Sequence, residues 1–158
     1  LELIQTDLTI QKPTLKDIAP MHALVQQEVR KGFILPRSAE EMATSVRSYF
    51  IAKDQDKIIG FCALHIYSPI LAEVRSLVVD ENYRKQGIAS KLVAEVLQEG
   101  EFLGITEFLV LTYHDKLFKK LGFEVIEKSL LPNHKIWADC IACKHFPICE
   151  EIALLKKF

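Results

Sequence analysis

The chain has 158 residues, of which 49% are hydrophobic and 26% charged, with a formal net charge of −1. That suits a single domain over residues 1–158 with a sizeable core, and the near-neutral balance argues against a general nucleic-acid binder. No apolar run approaches a membrane span, and Leu1-Glu2-Leu3-Ile4-Gln5-Thr6-Asp7 lacks the basic start and apolar stretch of a secretory signal. The four cysteines are therefore expected as reduced thiols in a cytoplasmic protein.

The elements follow in chain order. Thr9 to Lys12 alternates weakly, as a first strand. Thr14 starts a helix with Asp17 as its capping-box partner, and that helix carries Ile18, Met21, Leu24 and Val25 and ends near Gly32. Leu35-Pro36-Arg37-Ser38 is a turn, and Ser38 caps a second helix with Glu41 three residues on. Tyr49–Lys53 and Lys57–Ile66 read as two strands around the hairpin loop Asp54-Gln55-Asp56, followed by a strand from Ala72 to Val79. Gly87 to Leu103 is a long amphipathic helix, with Ile88, Leu92 and Val96 at helical spacing. Glu107–Thr112 is an apolar strand, Asp115 caps a short helix Lys116–Leu121 stopped by Gly122, and Phe123–Ile126 and Ile152–Lys156 are the last strands. The pattern is α/β: an antiparallel meander, then a strand–helix–strand unit, in one sheet covered by helices.

Arg84-Lys85-Gln86-Gly87-Ile88-Ala89 carries the most information. It joins an apolar strand to a helix N-terminus, where unpaired backbone N–H groups and the positive end of the helix dipole converge. Such a place suits a phosphate or pyrophosphate; Gly87 permits close approach to the backbone, and Arg84 and Lys85 add charge. The stretch is not a Walker loop, because it lacks the GK[ST] ending, and it has one of the three glycines of a dinucleotide fingerprint.

Three segments together resemble the GNAT superfamily of acetyl-CoA-dependent N-acetyltransferases: Arg84–Ala89 its pyrophosphate loop, Leu77-Val78-Val79-Asp80 the strand that pairs with the pantetheine arm, and Leu117–Phe123 its later helix-and-strand junction. Leu35–Ser38, Ala63–Ile66, Ala72–Leu77, Leu111–Tyr113 and the tail Leu131–Cys140 further resemble the short bacterial amino-acid N-acetyltransferases of N-acetylglutamate synthase type. The resemblance implies a mixed, mostly antiparallel central sheet flanked by helices, with a splayed pair of strands. It implies acetyl-CoA as co-substrate and transfer of the acetyl group to the α-amine of an amino acid, L-glutamate first, as in arginine biosynthesis. Other amines, a protein N-terminus and a non-catalytic acetyl-CoA-binding module are the alternatives. The expected partner is a small-molecule amino acid, not nucleic acid or membrane, and homodimerisation stays open.

Direct transfer needs a base for the amine, polarisation of the thioester carbonyl and release of the thiolate. The resemblance makes Glu73 the base, and strand alternation puts it with Arg75 and Leu77 on one face and Val74, Ser76 and Val78 on the other. Arg75 beside it would favour the ionised carboxylate. Leu77, Val78 and Val79 supply backbone groups for the pantetheine and the oxyanion, and the backbone from Gln86 through Gly87, Ile88, Ala89 and Ser90 the pyrophosphate site, with Arg84, Lys85 and Phe118 completing the cofactor-binding set. Many GNAT proteins carry a tyrosine where this chain has Phe118, so Tyr113 or Thr112 stands in as proton donor to the thiolate. Carboxylates favour the arginine fork: the resemblance places Arg37 at the α-carboxylate, with Ser38, Arg75 and Lys135 as further substrate-binding residues. His65 and His134 are weaker candidates. Cys140, Cys143 and Cys149 with His145 could offer four zinc ligands, but the last spacing is irregular, so these cysteines are read as packing residues without metal, and Cys62 as core.

Overall fold

Two capping boxes set where the first helices begin. At Thr14, the backbone N–H donates to Asp17 Oδ2 at 2.8 Å. At Ser38, the backbone N–H donates to Glu41 Oε1 at 2.8 Å and Glu41 N–H returns to Ser38 Oγ at 3.0 Å. The structure is a computed structural model and describes residues 8–31, 36–128 and 151–158.

The strands are β1 (Leu8–Gln11), β2 (Tyr49–Asp54), β3 (Lys57–Ile66), β4 (Leu71–Val79), β5 (Glu107–Thr112), β6 (Glu124–Ile126) and β7 (Ile152–Lys157). The helices are α1 (Ile18–Lys31), α2 (Ala39–Thr44), α3 (Ile88–Leu103) and α4 (Asp115–Lys120). One 3-10 turn, Leu15–Asp17, precedes α1, and others precede β2 and follow β4. The seven strands among the described residues form one sheet in the order β1-β2-β3-β4-β5-β7-β6. Every pairing is antiparallel except β4 with β5, and α3 is the crossover that a parallel pair requires. The expected mixed, mostly antiparallel sheet with flanking helices is the observed architecture.

Element boundaries move by a residue or so from the sequence reading. One difference is mechanistic: Asp115 is the first residue of α4, not its cap, and His114 takes the N-cap position. The Asp115 carboxylate reaches forward to Lys119 Nζ at 2.9 Å, an i,i+4 pair.

Each face of the sheet has its own core. Ile88, Leu92, Val93 and Val96 of α3 and Phe118 of α4 pack with Cys62, Leu64, Val74 and Phe108 on one face. Ile18, Met21 and Val25 of α1 and Met42 of α2 pack with Ile51, Phe61, Ala63 and Val78 on the other. Gly100 of α3 leaves room for the Phe108 ring of β5: a Cβ there would sit 2.3 Å from that ring.

Candidate active site

β4 is irregular where the sheet opens. Phe61 of β3 faces Val78 and Ala63 faces Arg75, so Cys62 stands opposite two residues, Ser76 and Leu77. This is a β-bulge, and Ser76 accommodates it with φ +58°. The extra residue reverses the alternation expected beyond Arg75. Leu77 packs against the core that contains Val74, and Val78 belongs to the opposite core with Phe61 and Ala63. Leu77 therefore does not share a face with Glu73, as uniform strand alternation predicts.

On its other edge β4 pairs with β5 over three positions, Leu71, Ala72 and Glu73 against Glu107, Phe108 and Leu109. Beyond Glu73 the strands part, which is the splayed pair expected from the family resemblance. The gap holds a narrow cavity of about 80 Å³ lined by Arg75, Ser76 and Leu77 on one side and Val110, Thr112 and Tyr113 on the other, with Phe118 closing it. Phe118 is buried edge-on against Phe123, ring centroids 5.3 Å apart, so its position is hydrocarbon wall. Thr112 Oγ1 accepts from the His114 N–H at 2.9 Å.

Past the end of β4, the loop turns through Lys85 at φ +65° and Gly87 at φ +80° into α3. A Cβ at Gly87 would meet nothing within 4 Å, so the backbone faces open space. Lys91 N–H makes a helical bond to Gly87 O at 3.1 Å; the N–H groups of Ile88, Ala89 and Ser90 precede it, in the turn where a helix leaves donors unmatched. Ile88 contributes through its backbone alone, since its side chain is core. Arg84 is engaged within the protein: Nε donates to Val79 O at 3.2 Å and Nη2 to Glu28 Oε1 at 3.3 Å.

The larger cavity, about 330 Å³, lies on the other side of Arg75 and is lined by Arg37, Glu41, Tyr49, His65, Tyr67 and Arg75, among others. The carboxylate of Glu73 is 2% exposed, and its Oε1 accepts from Tyr67 Oη at 2.6 Å and from Arg75 Nη2 at 3.1 Å. Arg75 Nη2 also donates to Tyr67 Oη at 3.2 Å, closing a three-member ring. Burial, and after it the neighbouring carboxylate, push the Tyr67 phenol far above its ordinary value. Burial likewise raises Tyr49, against the opposing pull of Arg37 and Arg75; both guanidinium groups thus act on one phenol.

The structure brings Arg37 and Arg75 to one cavity, with Glu73 bonded to Arg75 and Arg75 shared between that cavity and the one at the gap. Ser38 does not line that cavity; its hydroxyl serves the α2 cap. Tyr113 lines the gap. Lys135, His134 and the cluster Cys140, Cys143, Cys149 and His145 lie outside the described residues. Tyr67 is the residue that sequence reasoning missed, and a signal existed. The pairs Ala63–Arg75 and His65–Glu73 continue, two residues on, to Tyr67, whose N–H bonds to Leu71 O at 2.9 Å. A tight β3–β4 hairpin therefore puts 65, 67, 73 and 75 on one face.

Comparison with known proteins agrees with this geometry. Residues 45–125 match the Acetyltransferase (GNAT) domain family. An uncharacterized N-acetyltransferase of Chlorobaculum tepidum is 36% identical over 152 residues, 95% of this chain and 96% of that protein. An amino-acid acetyltransferase of Pasteurella multocida is 28% identical over 80% of this chain, which spans only 29% of that relative. Among solved structures, N-acetylglutamate synthase of Neisseria gonorrhoeae complexed with coenzyme A and N-acetyl-glutamate matches with a TM-score of 0.86 at 19% identity, over 99% of this chain and 36% of that one. A Mycobacterium tuberculosis protein in complex with coenzyme A matches with a TM-score of 0.82 at 20% identity, over 95% and 99%.

Proposed function

The chain belongs to the GNAT family of acetyltransferases and is an acetyl-CoA-dependent N-acetyltransferase, and from that premise we propose that its acceptor is the α-amine of an amino acid, L-glutamate first. The observation that carries this is the convergence of Arg37 and Arg75 on one cavity, together with the ion pair of Arg75 with the buried carboxylate of Glu73. The amino-acid acetyltransferases among the relatives, and the N-acetyl-glutamate held by a structure of the same fold, support it. A place in arginine biosynthesis would follow from that acceptor.

In this reading the thioester arm enters the gap between β4 and β5, with its pyrophosphate at the amides from Gln86 to Ser90 and Arg84 and Lys85 beside it. Val79 and Val78 offer strand backbone to the arm, and the irregular backbone at Ser76 and Leu77 offers an N–H to the thioester oxygen. Arg37 forks the α-carboxylate. Glu73 takes a proton from the ammonium group, directly or through a water; the amine nitrogen then bonds to the thioester carbon and the carbon–sulfur bond breaks. The departing thiolate takes its proton from Tyr113 on the wall of the gap, and the second proton lost by the nitrogen as it becomes an amide restores the phenol. Phe118, which has no proton to give, only shapes that wall.

The test is release of free thiol from acetyl-CoA against a panel of amino acids. Glutamate should be turned over best. A neutral amino acid or glutamine used more efficiently than glutamate would move the acceptor elsewhere while leaving the acetyltransferase intact.

A further inference from the structure

We propose that Tyr67 is a positioning residue for the transfer reaction: its hydroxyl fixes the carboxylate of Glu73 and keeps it ionised to receive the amine proton. The inference rests on the reading of Glu73 as the base.

The ring of three contacts determines where the phenolic proton lies. A guanidinium only donates, so Arg75 Nη2, 3.2 Å from Tyr67 Oη, must be donating to that oxygen. The hydroxyl's own hydrogen is then directed at Glu73 Oε1, 2.6 Å away, a length characteristic of a charge-assisted O–H···O⁻ bond. Oε1 thus receives two donors, and donation to a carboxylate favours its charged form. The floor is apolar: Tyr67 packs with Leu71, Leu109, Leu111 and Leu155. The side chain is thus held against hydrocarbon while its hydroxyl meets a carboxylate only 2% exposed, an environment in which such a bond is stronger than in water.

Among the described residues, the groups that face this carboxylate come from the following elements. β3 contributes His65, directly opposite Glu73 and edge-on to the Tyr67 ring at 4.8 Å. β4 contributes Arg75. Across the cavity stand Arg37 and Glu41, at and within the start of α2, and Tyr49 of β2. β5 presents Leu109 and Leu111, which do not titrate. Tyr67 and Arg75 both donate hydrogen bonds to Glu73.

The experiment is steady-state kinetics against pH for wild type, Tyr67→Phe, Glu73→Gln and the double variant. Tyr67→Phe should lower kcat about ten- to a hundred-fold, the loss typical of one hydrogen bond to a charged group. It should leave the KM for acetyl-CoA unchanged and move the acidic limb of the kcat/KM profile to higher pH, because the carboxylate has lost a donor. Placed on Glu73→Gln, it should cost nothing further. An acidic limb that stays where it was, or a Tyr67→Phe loss that persists in full on Glu73→Gln, overturns the role of Tyr67. Glu73→Gln that keeps turnover within a few-fold of wild type overturns the underlying reading instead. Should Tyr67→Phe fail to fold, fluorotyrosine incorporated at that position keeps the shape and strengthens the donor; the limb should then move to lower pH, and an unmoved limb refutes the proposal.

Discussion

Glu28 near the end of α1 accepts a hydrogen bond from Arg84 Nη2 at 3.3 Å, so the loop that opens α3 is tied across to α1. The arginine side chain is 49% exposed, and a pair of that kind contributes about 0–1 kcal/mol. Glu28→Gln should therefore leave the melting temperature nearly unchanged. Its effect should be on the cofactor: with the carboxylate's claim on the guanidinium weakened, Arg84 becomes available to a pyrophosphate, and the KM for acetyl-CoA should fall a few-fold. Initial rates at varied acetyl-CoA decide it, and an unchanged or higher KM would remove Arg84 from the cofactor site.

Gly87 separates two effects by size. Its φ of +80° costs an L side chain roughly 1–2 kcal/mol, yet the position is sterically open. Gly87→Ala should therefore fold, with slightly reduced stability, and retain coenzyme A binding at lower affinity. Gly87→Glu should fold and lose binding, since bulk and like charge then occupy the approach to the amides. Isothermal titration with coenzyme A checks both; undiminished affinity in folded Gly87→Glu would end the assignment of the loop.

Gly100 is a packing constraint. A methyl group there would meet the Phe108 ring at 2.3–2.5 Å, and both Gly100 and the ring are buried. Although alanine favours helix, Gly100→Ala should destabilise the fold by about 1–3 kcal/mol through overpacking. Urea unfolding measures it. A Gly100→Ala protein as stable as wild type would mean that α3 can lift from β5 at no cost.

Cys62 is fully buried with its thiol pushed up to about 12 by burial, partly offset by a backbone hydrogen bond. At pH 8 about one part in ten thousand is thiolate. Cys62 should stay unlabelled by a thiol reagent in the native protein and react on unfolding. Mass-spectrometric mapping of the labelled peptides reads this site apart from the three C-terminal cysteines, and native labelling of Cys62 at pH 8 would contradict its place in the core.

Arg37→Ala should reduce kcat/KM by roughly ten- to a hundred-fold, the loss expected for a charged hydrogen bond, and by similar factors for every α-amino acid, since all share the α-carboxylate. Lys135→Ala should hurt glutamate far more than glutamine if Lys135 recognises the side-chain carboxylate. Competition assays with glutamate and glutamine separate the two, and equal losses for both acceptors in Lys135→Ala would exclude Lys135 from the pocket.

The sequence was most legible where a rule is local. Ser38 with Glu41 is a three-residue pattern whose bonds close on themselves, and the structure has both. The order of strand, loop and helix around Gly87 was likewise readable, because a positive φ at the N-cap leaves its mark as glycine. The face carried by Leu77 was not readable: a bulge inserts one residue in β4 against one partner, and Ser76 carries no signature for a φ of +58°. The place of Tyr67 beside Glu73 depends on register across a hairpin rather than on spacing along the chain. Residue type alone favours Asp115 as the cap, while the fold gives that position to His114.

The short seam between β4 and β5 makes the sheet two half-sheets joined along Leu71–Glu73, with a wedge-shaped vacancy where further rungs would be. An extended amide-bearing arm lying there would act as a substitute strand for the length of the wedge, so cofactor loading and completion of the sheet become one event. Protection of the backbone hydrogens of Ser76–Val79 against deuterium should then rise with saturation by coenzyme A, and thermal resistance should grow with the logarithm of its concentration. A hydrolysed or truncated analogue lacking the amide arm would anchor at the loop and leave the wedge breathing.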